Sequence, residues 1–180
     1  FILEKPITET VEDALTLVRA ARAADVPFLV GHHRRYNPPL SIAREFLARG
    51  EIGAIAAVNA TWFRRKPDDY FVMPWRRELG GGPILINAVH DIDTLRFLCG
   101  EIRSVSAITS STARGFAVED TGAVIMRFEN GALGTYVFSD AASAPWGWEQ
   151  CAGENSDWYP QQSVDCYTIC GTRGSLTIPS

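Results

Sequence analysis

The chain has 180 residues, 46% hydrophobic and 21% charged, enough for one ordinary domain with a sizeable core and unlike a disordered chain. Its 17 Lys and Arg against 21 Asp and Glu leave a formal charge of −4, which argues against nucleic acid as a partner, since phosphate binding needs a concentrated positive field. No apolar run approaches the ~20 residues of a membrane helix, and Phe1-Ile2-Leu3 runs into Glu4-Lys5 without the basic leader of a signal peptide. The expectation is a cytoplasmic chain with no membrane partner.

Phe1-Ile2-Leu3 reads as the end of a strand cut off from what precedes it. Thr8 or Thr10 is a cap candidate for a helix whose apolar positions are Val11, Ala14, Leu15, Val18 and Ala21. Pro27 to Gly31 is a short buried strand. A second helix starts around Asn37-Pro38-Pro39, carries Leu40, Ala43, Phe46 and Leu47 on one side, and stops near Gly50. Ile55 to Arg65 is rich in β-branched and aromatic residues and reads as a strand, whereas residues 66–80 have no steady period and read as a loop.

Gly80-Gly81-Gly82-Pro83 leads into a helix ending near Cys99, closed by Gly100. Beyond it the pattern is mainly β: Ile102 to Thr112, then Thr121 to Phe128 and Ala132 to Ser139 flanking Asn130-Gly131, a strong hairpin signal. Residues 140–162 form an irregular stretch, followed by strands at Val164 to Cys170 and Ser175 to Ile178. This order predicts an α+β fold, an open and mostly antiparallel sheet with helices on one face. The other face is either solvated or covered by a partner, and apolar residues of both parities, among them Val124, Ile125, Met126 and Phe128, suggest that a second chain covers it. Cys99, Cys151, Cys166 and Cys170 read as reduced structural thiols, because a chain of this size needs no disulfide staples.

Several residues are candidates for chemistry. Lys5, at a strand end and followed by Pro6, is placed to steady a developing alkoxide if it faces a cleft; a solvated surface lysine is the bland alternative. His90 has a side chain suited to proton exchange near neutral pH, and Asn87 and Asp91 share its helix at i−3 and i+1. A histidine satisfied by a neighbouring carboxylate is the competing reading. His33, Arg34, Tyr36 and Asn37 follow a buried strand, where loops present binding groups, although a solvated turn has the same pattern. Trp75-Arg76 is a candidate cleft lining, and Trp146, Trp148, Trp158 and Tyr159 are candidates for stacking on a sugar ring, with a packed loop as the simpler reading. His32, His33 and His90 lack metal-ligand spacing, so no metal is expected. Gly80-Gly81-Gly82 lacks both phosphate-loop fingerprints and reads as close packing at a helix start.

The order of these motifs carries more information than any one of them. Glu4-Lys5-Pro6 is followed by VGHHRRYNP at Val30 to Pro38, EIG at Glu51 to Gly53, and GGGPILINAVHDIDTLRFLCG at Gly80 to Gly100. EDT at Glu119 to Thr121, FENG at Phe128 to Gly131 and GTRGSL at Gly171 to Leu176 complete the set. Together they resemble the Gfo/Idh/MocA family of NAD(P)-dependent sugar and polyol dehydrogenases over essentially the whole chain.

The resemblance implies that residues 1–30 are the end of a Rossmann domain and residues 31–180 a substrate-binding and oligomerisation domain, truncated at its C-terminal end. It implies NAD or NADP, held mainly by an N-terminal half that this sequence lacks, and a homo-oligomer formed through the sheet face. It assigns Lys5 and His90 to catalysis, and Lys5 and Pro6 to the cofactor cleft. The residues themselves add Asn87, Trp75, Arg76 and Tyr36 as candidates for a small-molecule substrate, and Glu4 and Arg34 on the cofactor side. One position departs from the pattern: many family members carry an aspartate four residues before the histidine, and here that residue is Ile86. The expected parent is therefore an oxidoreductase that moves hydride between NAD(P) and a hydroxyl or carbonyl of a sugar or polyol, its fragment inactive alone. The alternative is a redox-silent homologue that binds a ligand or partner.

Overall fold

The protein's computed structural model describes residues 1–154 and 162–179. Trp158 and Tyr159 lie outside the described residues. The first strand, β1 (Ile2–Leu3), pairs in parallel with β2 (Leu29–Val30), and α1 (Val11–Ala23) connects them. Thr10 caps α1 by accepting from the Asp13 amide at 3.2 Å, and Glu12 and Asp13 complement the first turn. Helix α2 (Pro38–Ala48) follows a 3-10 turn at His33–Tyr36.

The principal sheet has six strands in the order β4-β5-β6-β3-β7-β8. They are β3 (Ile55–Phe63), β4 (Ile102–Ser110), β5 (Thr121–Phe128), β6 (Leu133–Ser139), β7 (Tyr167–Gly171) and β8 (Ser175–Ile178). Only the central β3–β6 pair in this sheet is parallel; the other pairs are antiparallel. The hairpin predicted at Asn130-Gly131 forms by a division of labour. Gly131 takes the positive φ of 91°, while the Asn130 side chain donates to the Cys99 carbonyl and accepts from the Ala132 amide.

The strand period of two sorts the residues. Val58, Ala60, Trp62, Met126, Phe128, Tyr136, Phe138, Tyr167 and Ile169 are buried and form one core with Leu40 and Ala43 of α2 and Leu95 and Leu98 of α3 (Val89–Cys99). The helices therefore lie on one sheet face, as the pattern predicts. Across the opposite face, Ile108, Ile125 and Leu133 are exposed. Among the described residues, no helix is long and apolar enough to cross a membrane.

Several elements differ from the sequence reading, among them the strand expected to be buried at Pro27 to Gly31, whose Leu29 is exposed. The loop at 66–80 contains 3-10 turns at Asp68–Val72 and Pro74–Arg77. The helix expected after Pro83 opens as a π-helical turn, Ile84–Ala88, before becoming α3. Gly82 has the close approach expected of the triple glycine: a Cβ there would run into the Glu119 carboxylate, which accepts the Ile84 amide at 2.9 Å. A fourth helix, α4 (Trp148–Cys151), lies within the irregular stretch.

Candidate active site

Three pieces of chain meet beside α3. The segment after β1 supplies Lys5, whose Nζ donates to the Ile86 carbonyl oxygen at 2.6 Å. The π-turn supplies that carbonyl and Asn87, and the first turn of α3 supplies His90. Wide π-turns of this kind recur at functional sites because they re-aim a short run of side chains and carbonyls. His90 is buried, its Nδ1 has no hydrogen-bond partner, and the His33 ring packs edge-on against it with centroids 5.3 Å apart. Burial drives the His90 pKa down to about 2, with further lowering by Arg34, Lys5, His33 and His32. The imidazole is thus neutral at ordinary pH and has a free lone pair or N–H at Nδ1. The Lys5 pKa is also lowered, first by burial and then by Arg34.

Beyond this group opens a cleft of about 540 Å³ lined by Arg64, Lys66, Pro67, Asp69, Tyr70, Arg76, Ile86 and Asn87. The backbone extends β3 pairing past its end, since the Arg64 amide donates to Ser139 O and the Lys66 amide to Asp140 O. Residues two apart on such a segment share a side. Arg64 and Lys66 therefore both reach the cleft, while Arg65 is exposed. Arg76 donates to the Tyr70 carbonyl at 2.7 Å and lies 3.9 Å from the Tyr70 ring centroid.

The cleft gathers only some of the residues that the sequence singled out. Asn87 and Arg76 line it, and its buried Asn87 Oδ1 lacks a partner. Tyr36, expected at the substrate, is 87% exposed, and Trp75 is 46% exposed and outside the lining. Arg34, expected to reach a cofactor, is only 2% exposed and turned into the interior. Its guanidinium donates to Asp91 at 2.9 Å and to Glu149 at 2.8 Å. Two buried carboxylates hold the arginine there, because an unpaired charge in the interior is far more costly. Glu4 is exposed, and Pro6 follows Lys5 through a cis peptide bond. Trp148 is fully buried and stacked on Tyr167, while Trp146 packs edge-on against Phe63. Among the described residues, no group of three or more His, Cys, Asp or Glu is arranged to hold a metal ion.

Sequence reasoning missed the network beneath the site. Asp91, next to His90 on the same helix, is fully buried on the core side. It accepts from Arg34, from Tyr136 Oη at 2.6 Å and from Tyr167 Oη. Burial raises the Asp91 pKa against the lowering by Arg34 and the two hydroxyls. Burial also acts to raise that of Glu149, but Arg34, a backbone amide and the Trp62 indole N–H at 3.0 Å outweigh it and the net shift is downward. Nothing in chain order links these residues, which converge from the 3-10 turn at His33–Tyr36, α3, α4 and three strands. The cationic cleft had a readable signal: Arg64-Arg65-Lys66 directly after an apolar strand, with alternate residues on one side.

Fold and site together define an α+β domain with a polar cleft beside a lysine and a neutral histidine. The family model for the GFO/IDH/MocA C-terminal domain matches residues 41–177, and the chain belongs to this family. It is 33% identical to 1,5-anhydro-D-fructose reductase of Ensifer adhaerens over 99% of its own length and 56% of that protein. D-apiose dehydrogenase of Rhizobium rhizogenes is 25% identical over 98% of this chain and 47% of its own. Among solved structures, WlbA dehydrogenase of Chromobacterium violaceum in complex with NADH and UDP-GlcNAcA superposes with a TM-score of 0.81 at 30% identity. That match covers 98% of this chain and 48% of WlbA. The chain spans about half the length of these relatives.

Proposed function

We propose that the protein carrying this chain is a nicotinamide-dependent oxidoreductase acting on a hydroxyl or carbonyl of a sugar, polyol or related polar molecule. The observation that carries the reading is the buried His90 with an unpartnered Nδ1, next to a Lys5 that the Ile86 carbonyl holds in place. These residues fit the reacting end of a nicotinamide site: an orphaned imidazole nitrogen and an ammonium with donors to spare are what a reacting hydroxyl needs around it. When bound, NAD(P) would supply the acceptor for the hydride that leaves the carbinol carbon as the hydroxyl loses its proton. His90 takes the hydroxyl proton and Lys5 steadies the developing negative charge on the same oxygen. Asn87 and Arg76 orient the rest of the substrate. Family membership and the named sugar dehydrogenases among the relatives support this reading.

In this reading residues 1–30 close the nucleotide-binding unit and contribute Glu4, Lys5 and Pro6 to its cleft, while 31–180 form the substrate and oligomerisation unit. Neither NAD nor NADP is favoured by these residues, and the chain alone is inactive. The protein acts in the cytoplasm as a homo-oligomer through the face bearing Ile108 and Ile125. Ile86 in place of the carboxylate of many family members is the ground for the redox-silent alternative; Lys5 is held by the main-chain carbonyl of that residue, which does not depend on the side chain.

The test is titration of NADH and NADPH into this chain and into the complete protein, read by energy transfer from tryptophan to the reduced nicotinamide. Binding by the complete protein alone is expected and identifies the preferred nucleotide. Binding by neither form would transfer support to the redox-silent homologue.

A further inference from the structure

The far wall of the cleft brings together three cations, Arg64, Lys66 and Arg76, against one carboxylate in the lining, Asp69, and Arg64 also lies 3.9 Å from Glu149. Lys66 is 6% exposed, and its Nζ makes no hydrogen bond among the described residues. The nearest carboxylate oxygen is Asp140 Oδ2 at 3.7 Å. Arg114 Nε donates to the other oxygen of that carboxylate, Oδ1, at 3.0 Å. Lys66 is thus paired with Asp140 by charge but without a hydrogen bond, and its N–H groups lack acceptors among the described residues. A buried ammonium without hydrogen bonds is expensive, and native proteins rarely keep such a group without a use.

Two further cations border the same space. Arg64 and Arg76 line the cleft with Lys66, and Arg76 Nε is also buried without a partner. The one carboxylate in the lining is Asp69, which is exposed. Tyr70 sets the spacing between the cations: Lys66 Nζ lies 4.5 Å and the Arg76 guanidinium 3.9 Å from its ring centroid. Burial lowers the Lys66 pKa to about 8, Asp140 opposes this, and Arg64, Arg114 and Arg76 lower it further. An anion held among these groups would reverse that penalty. The opposite wall is the π-turn, where Ile86 and Asn87 line the cleft and Ile86 anchors Lys5.

We propose that Arg64, Lys66 and Arg76 form an anion subsite, so that the substrate is a sugar or polyol bearing a carboxylate or phosphate at the end remote from the reacting hydroxyl. This rests on the oxidoreductase reading for the reacting end and on the cleft alone for the anionic end. Guanidinium forks and an ammonium form charge-assisted hydrogen bonds to either group.

The test is calorimetric titration of the complete protein, with and without NADH, by D-glucuronate, D-glucose 6-phosphate and D-glucose. At least one anion is expected to bind about tenfold or more tighter than glucose, a preference within reach of one or two charge-assisted bonds. Lys66→Met and Arg76→Gln should each remove most of that preference. Arg76 is the less buried of the two, so its variant keeps the test alive if Lys66→Met fails to fold. The stronger of the two anions separates a carboxylate from a phosphate. Equal binding of all three sugars, binding of none, or a preference that survives both substitutions overturns the subsite. The oxidoreductase reading fails separately, through absent NADH and NADPH binding with anion binding intact.

Discussion

Lys5 and Ile86 lie 81 residues apart in the chain, yet the Lys5 ammonium donates to the Ile86 backbone carbonyl at 2.6 Å. The contact joins the segment after the first strand to the π-turn that precedes His90. Because the acceptor is main chain, Ile86→Ala should keep Lys5 in place and change kcat by no more than a few-fold. Lys5→Met removes the charge and should lower turnover by ~10²-fold or more, the scale of one positioned polar group at a reacting oxygen. Steady-state kinetics of the complete protein with its preferred nucleotide checks both. Equal losses in the two variants would show that the side chain at position 86 matters beyond its carbonyl.

His90 gives a second kinetic prediction. Asparagine keeps polarity at that position but cannot take a proton as imidazole does, so His90→Asn should lower kcat by ~10²-fold or more. Dinucleotide affinity should change little. Full turnover in this variant would remove His90 from the chemistry.

The same histidine makes stability depend on pH. Folded His90 stays neutral down to about pH 2, whereas its ordinary pKa is 6.5. Below about pH 6.5 the unfolded chain therefore binds a proton that the folded chain does not. Stability falls as pH drops through this window, because the state binding more protons gains. Replacing His90 with Gln should flatten that dependence. Thermal melts near pH 7.5 and near pH 5 for both proteins measure the difference, and parallel slopes would contradict the buried neutral imidazole.

Much of this arrangement was legible because local patterning decides it. The Asn130-Gly131 turn between two apolar runs specifies a hairpin whatever surrounds it, and Thr10 caps its helix through a bond three residues long. Lys5, Asn87 and His90 were legible through motif order. What could not be read is whatever tertiary burial decides. Arg34 looks like an exposed loop cation until Asp91 and Glu149, 57 and 115 residues away, enclose it. The π-turn was hidden for a similar reason, since the run after Pro83 has ordinary helical composition and the Glu119 carboxylate that takes the Ile84 amide comes from 35 residues further on.

That enclosed arginine predicts a stability effect. Arg34→Met would leave Asp91 and Glu149 buried without their principal cation, and removing one partner from such a group costs about 3–5 kcal/mol. Urea denaturation should show a loss of this order, with the transition midpoint moved and its slope retained. A loss below about 1 kcal/mol would mean that water or rearrangement relieves the two carboxylates.

The uncovered sheet face predicts an assembly. By register, Ile125 stands opposite Ser106 on β4 and Thr135 on β6, and Ile108 stands opposite Ala123, so the two isoleucines share the face away from the helices. They are 62% and 76% exposed, and Leu133 on the same face is 49% exposed. Adjacent branched apolar residues on an open face mark a surface that gains by being covered, and a self-complementary patch most simply closes as a two-fold dimer. Light scattering should therefore find the complete protein in an oligomer. Ile125→Glu should shift it to a smaller species, because burying a carboxylate against its symmetry mate is unfavourable. Dinucleotide binding should persist, since Ile125 lies on the sheet face opposite the helix that carries His90. An unchanged mass in Ile125→Glu would exclude this face as the interface.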